Sequence, residues 1–293
     1  MSQLEQPISF ESLALGRHLT IEYYDCDARI LADVNGMEKL FVEAARNSGA
    51  TVLESSFHAF QPQGVSGIVV ICESHFAVHA WPEHYYAAVD IFTCGDQIDF
   101  EQAVQTLRKS LCSRSMTISN ALSRGIIGQN GAVVQEKSSE SNIEGALSWR
   151  KRYESAHAWG MLASIDIYDC PQEMLSNGSV CDTLLVAANK LKASPVKPVE
   201  LHPLEHGKGV RFIQMLDSGT INGRCRRENG IFYCDIFLCR FFDPREISET
   251  LIDSLKGSYY RLQVALRQEQ HGVYYVRNSS NSHRSRSGLR QYY

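Results

Sequence analysis

From His18 to Tyr24 (HLTIEYY) apolar and polar residues alternate, the period of a strand with one buried face. A helical period follows. Met37, Leu40, Phe41, Ala44 and Ala45 fall on one face, and Gly49 stands where a helix would stop. Residues 67–72 (GIVVIC) are an apolar run of the length of a buried strand, and Tyr86 to Phe92 reads as another. Asp99 is placed to cap a helix whose inner face carries Ala103, Val104, Leu107 and Leu111. Met116 to Ala121 reads as a last strand. These elements predict a unit of α+β class: a mainly antiparallel sheet with helices on one face, a two-layer α/β sandwich. Such a sheet is expected to leave its other face apolar, and two units can bury those faces against each other.

The pattern occurs twice. Residues 16–26 read GRHLTIEYYDC and residues 160–170 read GMLASIDIYDC, while 90–94 (DIFTC) returns at 235–239 as DIFLC. Each second copy lies about 144 residues downstream. A helix-like segment follows each DIFxC: DFEQAVQTLRKSL at 99–111 and DPREISETLIDSL at 243–255. Shared order and spacing predict one ancestral unit used twice, over residues 1–135 and 149–277. A polar linker is expected over 136–148, and the Ser- and Arg-rich tail over 278–293 is expected to be disordered.

Composition narrows the class. A chain of 293 residues with 44% apolar residues can bury the cores of two such units. A net charge of −4 offers no field to attract nucleic acid or an anionic membrane surface. No apolar run approaches the ~20 residues that span a bilayer. The start, MSQLEQPISF, lacks the basic and then apolar pattern of a secretory signal. Nine cysteines without a CxxC pair fit free thiols in a reducing compartment. A cytoplasmic protein with neither nucleic acid nor membrane as partner is expected.

One stretch concentrates reactive groups: Glu73-Ser74-His75, then His79, then Trp81-Pro82-Glu83, then Cys94. Ser74 directly follows the apolar run. A serine held by a tight turn at a strand end can press its hydroxyl against the preceding carbonyl. Such strain favours an N-to-O acyl shift, giving an ester between Glu73 and Ser74. Loss of the serine α-proton then eliminates the ester. One chain then ends at Glu73 and the other begins with a pyruvoyl group. The reaction needs a base and a hydrogen-bond donor to the carbonyl, and His79 and Ser66 are candidates. A pyruvoyl ketone forms a Schiff base with a substrate amine and accepts electrons as carbon dioxide leaves. Cys94, after a strand across the sheet, can return the proton if its thiol is protonated. Each residue alone has a plainer reading, as a satisfied histidine, a core cysteine or a core tryptophan. His75, His79 and His84 have the spacing of metal ligands, yet no carboxylate pattern completes a site and no metal is expected.

The order of these residues resembles the prokaryotic S-adenosylmethionine decarboxylase family. The match runs from Leu15-Gly16-Arg17-His18 through Tyr24-Asp25-Cys26 and Ser48-Gly49-Ala50-Thr51. It continues through Phe57-His58, Phe60, Gly64-Val65-Ser66-Gly67, Glu73-Ser74-His75, His79, Trp81-Pro82-Glu83 and Asp90 to Gly95. It covers about the first 120 residues. The resemblance implies that Ser74 is the pyruvoyl precursor, that Glu73 becomes a new C-terminus, and that His79 and Ser66 assist self-cleavage. It implies that Cys94 is the catalytic proton donor, that Phe60 stacks on adenine and that Glu83 binds ribose hydroxyls. The implied product is decarboxylated S-adenosylmethionine, used in spermidine synthesis.

The second unit departs from this pattern. Aligned on its sequence, Asp217-Ser218 matches Glu73-Ser74, Gly219 replaces His75, and Gly223 falls where His79 would be. Ser66 is replaced by Val210 or Arg211, and Cys239 is retained. Ser218 is not expected to self-process, and the second unit reads as a scaffold repeat. In short members of the family each site spans a dimer interface, so a homodimer through the first unit is expected here, acting on a small-molecule substrate. Two other functions fit the same residues: a pyruvoyl-dependent arginine or ornithine decarboxylase, and a non-catalytic regulatory partner of a decarboxylase. Ala80, where threonine is usual in the family, and His84-Tyr85, where tyrosine-glycine is common, keep the first of these open. A serine hydrolase lacks its GxSxG elbow.

Overall fold

The structure, a computed structural model, describes residues 8, 14–60, 64–94, 97–126, 148–204, 207–267 and 273–280. The chain divides into two compact units, Met1–Gln135 and Glu136–Tyr293.

In unit 1 the elements run β1 (Ala14–Tyr24), α1 (Ala28–Ala32), α2 (Val34–Asn47), β2 (Val52–Ala59), β3 (Val65–Ile71), β4 (Ser74–Trp81), β5 (Tyr86–Thr93), α3 (Phe100–Ser110) and β6 (Ser115–Ile126). The six strands form one sheet in the order β2-β3-β4-β5-β1-β6, with every neighbour antiparallel. Alternate residues of the strands point to the helices: Leu19, Ile21, Val69, Phe76, Val78, Val89 and Ile91 pack with Met37, Phe41, Ala44, Val104 and Leu107. Each of these side chains except Ala44, fully buried, contributes about 1.5–3 kcal/mol. The helix ends follow the sequence signals. Asp99 accepts a hydrogen bond from the Gln102 backbone N–H at 2.9 Å, and Gly49 leaves α2 at φ 92°.

Unit 2 repeats the plan. It comprises α4 (Trp149–Ser155), β7 (Gly160–Tyr168), α5 (Asn177–Leu191), β8 (Glu200–Pro203), β9 (Gly209–Leu216), β10 (Gly219–Arg226), β11 (Ile231–Leu238), α6 (Pro244–Leu255), β12 (Tyr259–Arg267) and β13 (Val273–Ser280). The sheet order is β13-β12-β7-β11-β10-β9-β8, again antiparallel throughout. Read from β8 to β12, this is the order of unit 1 from β2 to β6. The α+β class, the antiparallel sheets and the duplication are therefore as the sequence predicts.

Two expectations need correction. The sheet face turned away from the helices is not apolar. In unit 1 it carries buried His18, Thr20, Glu22, His75, His79 and Asp90, and in unit 2 buried Ser164, Asp166, Asn222, Arg224 and Asp235. The period of two that sends one set of residues into the core sends these the other way. Strand β13 reaches Ser280, past the boundary at 277 that composition implied. The linker before Ser148 and the tail beyond Ser280 lie outside the described residues. No helix among the described residues is long and apolar enough to cross a membrane.

Cys26 and Cys170 close the repeated YDC sequence, and both are buried. Burial pushes each thiol up to about 12. A raised value keeps the protonated, unreactive form dominant at pH 8, whereas Cys72 and Cys112 are exposed. Brief alkylation of the folded protein at pH 8, followed by peptide mass mapping, is expected to label Cys72 and Cys112 and spare Cys26 and Cys170. Equal labelling of the four would contradict this packing.

Candidate active site

The hairpin between β3 and β4 fixes Ser74. Ile71 pairs with Ser74 across a turn of Cys72 and Glu73, and Ser74 pairs on its other side with Thr93 of β5. The turn is tied at three points. Cys72 donates its backbone N–H to the Thr51 carbonyl at 2.8 Å, and Cys94 donates its own to the Glu73 carbonyl at 2.9 Å. Thr51 in turn donates its backbone N–H to Glu73 Oε2 at 3.3 Å. So held, Ser74 takes a φ of 158°, in the region that favours glycine.

Unit 2 shows the same hairpin with a different residue. Leu216 pairs with Gly219, Cys239 donates to the Ser218 carbonyl at 2.8 Å, and Gly219 has the same φ of 158°. A Cβ on Gly219 would stand 1.9 Å from the Phe237 carbonyl oxygen. The ladder thus corrects the sequence alignment by one residue. Gly219, not Ser218, is the counterpart of Ser74; Thr220 corresponds to His75; and Arg211 and Arg224, paired across β9 and β10, stand where Ser66 and His79 pair across β3 and β4. Matching the serine letter hid the shift, because Ser218 corresponds to Glu73 at the tip of the turn. Unit 2 has no hydroxyl at the strained position.

Around Ser74 the groups are close-packed. Ser74 Oγ lies 3.3 Å from His75 Nδ1, and both residues are buried. The His75 ring meets Phe92 edge-on, with centroids 5.9 Å apart. Half-buried Cys94 follows β5 directly. A Cβ on Gly16 would lie 3.4 Å from Cys94 Sγ and 2.5 Å from the Phe92 ring. Glycine at 16 therefore makes the room in which thiol and ring sit. Glu73, Ser74 and Cys94 share this end of the sheet.

The remaining predicted residues gather elsewhere. Ser66 Oγ and His79 Nδ1 are 2.9 Å apart, and both side chains are fully buried. Phe60 is buried with its ring against Trp81, 6.0 Å away and nearly perpendicular. Gly64, at φ 148°, is required by that ring, since a Cβ there would lie 2.3 Å from it. Glu83 and His84 are exposed on the short helical turn Pro82–His84. His79 comes five residues after Ser74 on β4, a separation of about 16 Å along a strand. Within one unit, then, His79 and Ser66 do not reach Ser74. The predicted residues form two half-sites at opposite ends of β4.

Sequence reasoning overlooked a buried group beside the first half-site. The Arg124 guanidinium lies over the Phe92 ring, 4.4 Å from its centroid. The signal was available in the repeat: Gly16, Phe92 and Arg124 recur as Gly160, Phe237 and Arg267, at matching ladder positions.

A family model described as S-adenosylmethionine decarboxylase matches residues 17–125 and, a second time, residues 162–268. The chain belongs to the S-adenosylmethionine decarboxylase family. The expected resemblance is thereby borne out, and the second match falls on the unit that lacks the serine. Among relatives, the S-adenosylmethionine decarboxylase proenzyme of Thermosipho melanesiensis is 52% identical over 105 residues, which span 36% of this chain and 81% of that one. The proenzyme of Pseudomonas aeruginosa is 48% identical over 124 residues, spanning 42% of this chain and 77% of its own. Among solved structures, the adenosylmethionine decarboxylase from Aquifex aeolicus VF5 aligns with 97% of its chain and 40% of this one, at 30% identity and a TM-score of 0.38.

The conformation of Ser74 has a measurable cost. A non-glycine residue held in this region costs about 1–3 kcal/mol. Neither Ser74→Gly nor Ser74→Ala offers a hydroxyl, so both chains stay whole and can be compared. Ser74→Gly is expected to unfold at higher urea than Ser74→Ala, by about 1 kcal/mol after the entropy of glycine is discounted. Equal midpoints would mean that residue 74 is not strained.

Proposed function

We propose that this chain cuts itself between Glu73 and Ser74 and uses the ketone left at residue 74 to decarboxylate S-adenosylmethionine. The observation that carries the reading is the hairpin: a serine stands where the repeat has glycine, with its acyl neighbour held by the Cys94 N–H. That N–H polarises the Glu73 carbonyl and stabilises the oxyanion that forms on it. Ser74 Oγ attacks the Glu73 carbonyl carbon, a C–O bond forms, the C–N bond breaks, and the amine nitrogen takes the proton. Removal of the Ser74 α-proton then expels the Glu73 carboxylate. Tautomerisation and attack by water release ammonia and leave a ketone. Residue 74 fits this group, because a planar carbon no longer carries the tetrahedral strain of φ 158°. The ketone supplies an electron sink for carbon dioxide loss once it condenses with the substrate amine. Cys94 at the same end of the sheet returns a proton to the substrate carbon.

His79 is the proton acceptor for processing, and its Nδ1 is oriented by Ser66. The separation along β4 argues that they act on the Ser74 of a second copy of unit 1, so the working form is a homodimer through unit 1. Phe60, wedged against Trp81, offers a face to adenine, and exposed Glu83 a carboxylate to ribose hydroxyls. This favours the nucleoside substrate over arginine or ornithine. Ala80, one departure that left those amino acids open, sits in the helix-side core rather than on the face of His79.

Intact mass and peptide analysis of the purified protein is expected to give two chains, one ending at Glu73 and one blocked at residue 74. His79→Ala is expected to process about 100-fold more slowly or worse, the scale of a lost general base. Carboxyl-labelled S-adenosylmethionine, offered beside labelled arginine and ornithine, should alone release carbon dioxide. An uncut chain, or equal release from arginine, contradicts the reading.

A further inference from the structure

Phe92 links the reacting end of the sheet to a buried cation. On one side its ring meets the His75 edge, with centroids 5.9 Å apart, and His75 Nδ1 lies 3.3 Å from Ser74 Oγ. Toward β1 the ring and Cys94 Sγ share the space that Gly16 leaves open. Its face carries the Arg124 guanidinium at 4.4 Å. Arg124 is 1% exposed, and Nη1 lies 3.4 Å from His18 Nδ1. The guanidinium can only donate, so that contact makes His18 Nδ1 the acceptor and puts the ring proton on Nε2, 3.8 Å from Asp90 Oδ1. A charge this deep is costly unless it is matched. Here a ring face and an imidazole hold one planar cation in one orientation, with the Asp90 carboxylate lying beyond the imidazole.

Unit 2 has the framework without the reactive residues. Arg267 is fully buried, and a Cβ on Gly160 would lie 2.5 Å from the Phe237 ring, as Gly16 stands to Phe92. Yet residues 219 and 220 are Gly and Thr, in place of Ser74 and His75. A buried arginine and a phenylalanine ring beside a glycine therefore recur at matching register in both units, and only in unit 1 do they adjoin a serine at the hairpin exit.

We propose that Arg124 is a positioning residue for the chemistry at residue 74. Its flat guanidinium fixes Phe92, and Phe92 fixes the His75 ring beside Ser74 Oγ and the Cys94 thiol beside Gly16. The proposal rests on the reading of Ser74 as the self-cleaving residue. It assigns to Arg124 the alignment of the hydroxyl before cleavage and of the thiol after it. A lysine would not substitute, because a point charge does not stack on the ring as the planar fork does.

The test follows self-cleavage of freshly translated full-length chains, with thermal unfolding measured alongside. Arg124→Met and Arg124→Lys are expected to cut about 10- to 100-fold more slowly than the parent, the scale for a reacting group displaced by less than about 1 Å. Millimolar methylguanidine is expected to restore part of the Arg124→Met rate. In a Phe92→Leu background, Arg124→Met should add no further slowing, because the two act as one unit. Arg267→Met, the same change in unit 2, should lower thermal stability and leave the cutting rate alone. Should Arg124→Met not fold, Arg124→Lys carries the comparison. A parent that stays whole overturns the reading of Ser74 and this proposal with it. A parent that cuts, beside Arg124 variants that fold and cut as fast, overturns the role of Arg124 alone. So does additive slowing with Phe92→Leu, or slowing by Arg267→Met as large as by Arg124→Met.

Discussion

The backbone at residue 74 is set by its neighbours rather than by its own preference. Strand β4 pairs along its length with β3 on one side and β5 on the other, and each ladder bond contributes about 0.5–1.5 kcal/mol. Against two such ladders, the about 1–3 kcal/mol cost of one unfavourable φ cannot shift the hairpin. The N–H of Cys94 closes the arrangement by holding the Glu73 carbonyl in place. The strain therefore stays at residue 74, next to the Glu73–Ser74 bond. On the proposed reading, self-cleavage is the outlet that this geometry leaves.

The second unit shows what the fold needs apart from the reaction. It keeps the strand order, the hairpin with φ 158° at its exit, the glycine against a phenylalanine ring, and a buried arginine. It has glycine where the hydroxyl stands in unit 1, and arginines where the histidine and serine stand. Glycine at 219 adopts the ladder's conformation without cost, so unit 2 has no strain to release. On the proposed reading, the same backbone serves as a scaffold in one unit and as a reactive site in the other, according to a few side chains. That contrast within a single chain supports assigning the chemistry to Ser74 rather than to the hairpin as such.

Much of this fold was legible in the sequence because its signals are local. The periodicity of Met37, Phe41, Ala44 and Ala45 depends only on the helix that carries them. The Asp99 cap depends on a backbone N–H three residues away. Strand β2 (VLESSFHA) was missed, since of its residues only Val52 and Phe57 pack against the helix-side core and the alternation is broken by a register shift after Val52. The reactive set was legible as residue types, from Ser74 to Cys94. Its division into two half-sites was not, because it follows from the length of β4 (SHFAVHAW), which the sequence analysis did not read as a strand of its own. Serine 74 gives no sign of its φ. The sign lay in Gly219, and reading it required the ladder register to align the repeats correctly. Arg124 was overlooked for a related reason: a single charged residue in a strand reads as solvent-facing until its partners, Phe92 and His18, are known to lie beside it.

The account turns on the acyl shift from nitrogen to oxygen at one bond, and trapping the ester tests that step most directly. Unprocessed chain, treated briefly with hydroxylamine during maturation, is expected to break faster than untreated chain. The products should be a hydroxamate at Glu73 and an unblocked serine at residue 74, read by mass spectrometry of the two new ends. A chain that hydroxylamine neither accelerates nor cuts at Glu73–Ser74 would mean that no ester forms there, and the strained-bond account would be wrong.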